Sequence, residues 1–330
     1  MADELARWAA ERAPHVVARA EAEAAAALRD ALLAAATRGP GSGATRAPRR
    51  PEKRTAAKPA EPDEFLWAYC VLRAGGGHPP AMRGVGEDAG QVERVEAAGL
   101  AALVSRVPAA DFGAEPLRDN LNDLAWLEGV ARAHEAVLDQ SLRTSTMVPL
   151  RLCTLYESED SVRQMLEGQH DAFAHALDVL AGREEWGLKM LVDPDRLARE
   201  ARAHSEEAER FEQELGATSG GGAYMLRRRF ERHVRELSDS LAREVAEQVH
   251  ARVQDWAIDA VSLPPQNREL SGHEGEMLLN AAYLVEADRV AGLEELVAEL
   301  EARYESLGAR LELTGPWPPY NFVPDSATRA

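Results

Sequence analysis

The sequence predicts an α+β protein: two α+β domains, the C-terminal one ferredoxin-like, with a long helix and an N-terminal helical extension plus disordered linker. Three observations predict this. Short runs rich in β-branched and aromatic residues, such as "FLWAYCVL" (65–72), have strand length and are bounded by Gly/Pro punctuation. Apolar stripes recur at helical spacing, and the longest runs from Tyr224 to Trp256. The order of these elements mixes strands with helices instead of alternating them strictly, as α+β sheets do.

The chain has 330 residues, enough for two cores, and a formal net charge of −18. That charge argues against a general nucleic-acid binder, which needs cations to displace phosphate counterions. It fits a soluble cytoplasmic protein with acidic outer helix faces. Cys70 and Cys153 both lie in apolar, strand-like runs and have no CxxC context. They read as small buried hydrophobes, not as a disulfide framework or zinc site. No apolar run of about 18 residues predicts a membrane span, and the N-terminus lacks an apolar signal core.

Residues 1–37 read as an Ala-rich helical extension. After Pro14, Val16, Val17, Ala20, Ala24, Ala27, Leu28, Ala31, Leu32 and Ala35 form a stripe, but alanine buries little area. Residues 38–62 read as a basic disordered linker. Between Arg38 and Ala60 seven basic residues face only Glu52, so the remainder of the chain is more acidic still. A Pro/Gly/Ala-rich segment of this kind cannot bury enough apolar area to offset its chain entropy. It serves either as a solvated tether or as an electrostatic handle for an acidic partner.

The N-terminal α+β domain is expected over 63–215. "FLWAYCVL" is its first strand. The loop "RAGGGHPPAMRG" has glycines but not the Lys and Ser/Thr of a phosphate loop. "QVERVEAAGLAALVSRVP" predicts a hairpin around Gly99. Residues 119–143 predict a helix capped by Asp119 or Asn120, with Leu124, Leu127, Ala131, Leu138 and Leu142 on one stripe. "TMVPLRLCTLY" reads as a strand interrupted by Arg151. A buried guanidinium needs a carboxylate, which predicts a buried ion pair between Arg151 and Glu128 or Glu135 of the preceding helix. Glu128, Glu135 and His134 also admit an acid/base reading, but edge carboxylates with structural partners are the simpler one. Helices at 158–167 and 169–181, a strand "EWGLKMLVD" and a charged helical stretch at 194–213 complete this half.

The C-terminal domain is expected over 216–330. Long helix, strand, strand, helix and strand follow one another, the layout of a ferredoxin-like sheet with its first strand missing or displaced. "MLLNAAYLVEA" reads as a buried strand, and Asp288 as the cap of the helix that follows. Arg227, Arg228, Arg229, Arg232 and Arg235 crowd the start of the long helix, yet acids share that helix and a nucleic-acid surface is not expected. The domain ends in a Trp/Pro-rich tail, "LTGPWPPYNFVP" (313–324). Proline fixes φ and donates no hydrogen bond, so this segment is expected to be extended, outside helix interiors and central strands. Trp317, Tyr320 and Phe322 serve either as a structural latch on their own domain or as a partner-binding surface.

Several of these stretches occur together in a known order. "LAWLEGVARAHEAVLD", "VPLRLCTLYESEDSVRQML", "EWGLKMLVD", "AYMLRRR", "LLNAAYLVEADRV" and, most specifically, "LELTGPWPPYNFV" resemble the gas vesicle protein GvpF/GvpL family over roughly 65–323. Leu152 and Cys153 stand where the family often has Phe and Gly. The resemblance implies two α+β domains and a non-enzymatic accessory or minor structural protein of gas vesicles. Its partners would be the hydrophobic major shell protein and other accessory proteins, with no catalytic residues, cofactor or metal. A P-loop, dinucleotide fingerprint, HExxH and nucleophile elbow are all missing from the sequence, which agrees with a non-enzyme. The alternative is an oligomeric helical scaffold or adaptor without a shell-binding role.

Overall fold

The computed structural model describes residues 63–75, 81–86, 89–219, 221–264 and 275–323. The expected helical extension (1–37) and basic linker (38–62) lie outside them. The chain divides into two compact units at Val179/Leu180; Val323 falls with the first.

The first unit is built on an antiparallel sheet. Strand β1 (Glu64–Arg73) is central, with β3 (Leu100–Pro108) on one side and β4 (Val148–Pro149) and β5 (Leu155–Tyr156) on the other; β2 (Glu93–Ala97) flanks β3. β1 is buried from Leu66 to Leu72, so it reads as a continuous apolar run and not as an alternation. β2 and β3 form the hairpin expected around Gly99. Ala98 and Gly99 at its tip have φ of 51° and 79°, the pair of positive values that a type I′ connection requires. Helices α1 (Ala109–Phe112) and α2 (Ala114–Asn120) precede α3 (Leu124–Leu142). The cap of α3 is Asp123, whose carboxylate accepts from the backbone N–H groups of Ala125 and Trp126. This corrects the expected cap at Asp119 or Asn120: those residues close α2, and a two-residue turn separates the helices. Helices α4 (Glu159–Gly168) and α5 (His170–Leu180) follow; Ser158 and Ser161 form a reciprocal cap at the start of α4.

The expected strand over 146–156 is not continuous. β4 and β5 are two residues each, and a turn at Leu152–Cys153 divides them. Cys153 has φ of 64°, half-buried and off the strand, which corrects its reading as a buried strand residue. This is the position where the resemblance puts a glycine, and a left-handed backbone is the conformation for which glycine carries no Cβ penalty. Cys153→Gly is therefore expected to stabilise the first unit by about 0.5–1 kcal/mol, after the entropy that glycine adds to the unfolded chain is set against the relieved strain. Urea denaturation of the two proteins measures it, and a loss of stability would show the backbone there to be unstrained.

The second unit contains β6 (Arg183–Val192), α6 (Pro194–Ala203), α7 (Glu206–Ala217), α8 (Gly221–Gln254), β7 (Asp259–Ser262), β8 (Glu276–Glu286), α9 (Val290–Arg303) and β9 (Arg310–Trp317). The strand order is β7-β8-β6-β9, all antiparallel. β6 occupies an inner position, so the unit begins at Leu180, not at the expected boundary of 215/216. Asp288 lies in a 3-10 turn (Ala287–Arg289) and makes no side-chain cap for α9, contrary to expectation. α8 has 34 residues, hence a length of about 50 Å. Its C-terminal half packs Val245, Val249 and Val253 against Leu188 and Met190 of β6, Ala281 and Tyr283 of β8, and Leu293 and Leu300 of α9.

Candidate functional site

The alternation of β6 assigns its side chains to two faces. Leu188, Met190 and Val192 join the helix-covered core. Glu185, Gly187 and Lys189 take the other face by the period of two. Three features converge on that second face from the C-terminal segment. Glu185 pairs in register with Trp317, Gly187 with Thr314 and Lys189 with Glu312.

β9 is an edge strand, where prolines are tolerated because one side needs no ladder hydrogen bonds. The segment expected to be wholly extended continues the strand through Trp317, contains a cis Gly315–Pro316 peptide and then closes in a 3-10 turn over Tyr320–Phe322. Gly315 has φ of 152°, and a Cβ there would meet the Trp186 ring at 2.9 Å and the Glu185 carbonyl at 3.0 Å. Gly187 likewise leaves room for Thr314 and the Trp317 indole. Trp317 Nε1 donates to Thr314 Oγ1 at 3.2 Å.

Glu185 is 2% exposed. Its two carboxylate oxygens accept from Asn321: Oε2 from the backbone N–H at 3.1 Å, Oε1 from Nδ2 at 2.5 Å. A buried carboxylate with charge-assisted hydrogen bonds is a strong tie for a segment with few backbone bonds of its own. Trp317 and Phe322 are buried and Tyr320 is half-buried. Sequence reasoning named the three aromatics and missed Glu185 and Asn321. Glu185 stood in a quoted strand, but nothing local to it signals a partner 136 residues away. Lys189 is buried on the same face. Desolvation lowers its pKa, and the carboxylate of Glu312 partly offsets that; Glu312 also pairs with Arg310.

The first unit gathers a different set. Trp67 Nε1 donates to His134 Nδ1 at 3.0 Å, which leaves the proton of a neutral ring on Nε2. His134 stacks on Tyr69 with ring centroids 5.3 Å apart. Tyr69 Oη is 2.7 Å from Ser105 Oγ and accepts from the Val85 N–H at 2.8 Å. Burial pushes the Tyr69 hydroxyl up to about 12 and the Cys70 thiol likewise to about 12. Neither supplies an anion at neutral pH, so this polar network stitches the core and does not resemble an acid/base site.

Glu128 is half-buried on α3 and ion-paired with Arg132 one turn on. Glu135 is buried and Arg151 half-buried in the turn between β4 and β5. No helix among the described residues is long and apolar enough to cross a membrane.

The geometry defines a class: a protein of two antiparallel α+β units, whose C-terminal aromatic–proline segment is bonded into the sheet of the second. The family model for gas vesicle synthesis protein GvpL/GvpF matches residues 65–324, and the chain belongs to this family. It is 37% identical over 266 residues to gas vesicle protein L of Streptomyces sp. (strain CB03234), covering 79% of this chain and 93% of that one. To gas vesicle protein L1 of Halobacterium salinarum it is 25% identical over 280 residues, covering 83% and 95%. Among solved structures, the gas vesicle protein GvpF from Anabaena sp. PCC7120 superposes with a TM-score of 0.62 at 16% identity, over 79% of this chain and 98% of that one. GvpF from Microcystis aeruginosa gives 0.55 at 15% identity, over 79% and 99%. At such identities the superpositions speak for the fold.

Proposed function

We propose that this chain is an accessory or minor structural protein that binds the hydrophobic major shell protein and supports gas vesicle assembly in the cytoplasm. The observation that carries this reading is the family match across both units, 65–324. Relatives named gas vesicle protein L and F support it. The second unit is read as ferredoxin-like, because β6, β7, β8 and β9 with α8 and α9 run strand, helix, strand, strand, helix, strand in an antiparallel sheet.

Within this reading Trp317 and Phe322 latch the tail to the second unit, and Tyr320, the more exposed of the three, adds a contact to the partner. Arg151 pairs with Glu135, since Glu128 already holds Arg132. The basic linker 38–62 acts as a tether with a subsidiary electrostatic role.

Co-purification of the full chain with the major gas vesicle shell protein tests the function. Capture is expected with and without residues 1–62, and more weakly without them at low salt, where charge interactions reach furthest. A full chain that leaves the shell protein behind would favour the scaffold or adaptor alternative.

A further inference from the structure

We draw no further inference here: the strongest candidate, the groove of about 440 Å³ between the C-terminal end of α8 and α9, where Asp255, Glu295 and Glu299 surround Trp256 and Leu296, is an open surface that Arg252 also lines, and nothing in the structure shows what covers it.

Discussion

Trp317→Ala is expected to destabilise the second unit by about 3–5 kcal/mol, the cost of truncating a core aromatic. The indole is 8% exposed, bonded to Thr314 and seated where Gly187 leaves room. Its loss also frees the segment that carries Asn321, so Glu185 would remain buried with fewer donors, adding a desolvation cost of its own. In a unit of this size the melting temperature should fall by roughly 10 °C. Capture of the shell protein should then fall only in proportion to unfolding. Unchanged melting with abolished capture would refute the latch and make Trp317 a contact residue. Tyr320→Ala is the companion measurement: it is expected to melt nearly as the parent does and to weaken capture.

Arg151→Leu is expected to lower the stability of the first unit by about 3 kcal/mol, because removal of one partner leaves a buried carboxylate uncompensated. Glu135 is the residue at risk: it is 6% exposed on the inner side of α3, whereas Glu128 is only half-buried and held by Arg132. A double-mutant cycle makes the attribution specific. Arg151→Leu combined with Glu135→Gln should be more stable than Arg151→Leu alone, since the second change removes the stranded charge. A single variant within about 0.5 kcal/mol of the parent, a shift typical of surface substitutions, would rule the pair out.

Local signals carried well where a residue's conformation depends on its neighbours in sequence. Gly99 with a preceding small residue marked the β2–β3 hairpin. The four-residue spacing of Leu241, Val245, Val249 and Val253 marked α8, because one stripe of a helix must face a core. They carried less well at punctuation. Asp119, Asn120 and Asp123 are all capping residues within five positions, and only the turn after Asn120 decides that Asp123 caps α3. The run 146–156 has strand composition throughout, yet the left-handed backbone at Cys153 divides it, and a side chain gives no warning of that angle.

The sequence by itself determined the family, through motifs in fixed order from 65 to 324, and it determined the element types, through periodicity and Gly/Pro placement. It also singled out Trp317, Tyr320 and Phe322, because aromatics among prolines have no helical or central-strand explanation. Only the tertiary structure decided that β6 joins β8 and β9, that the second unit therefore starts at Leu180, and that Glu185 binds Asn321. The physical reason is range. Helical and turn preferences act over a few residues, whereas a strand's partners and a buried carboxylate's donors are fixed by the lowest free energy of the whole packed unit, across separations of more than a hundred residues.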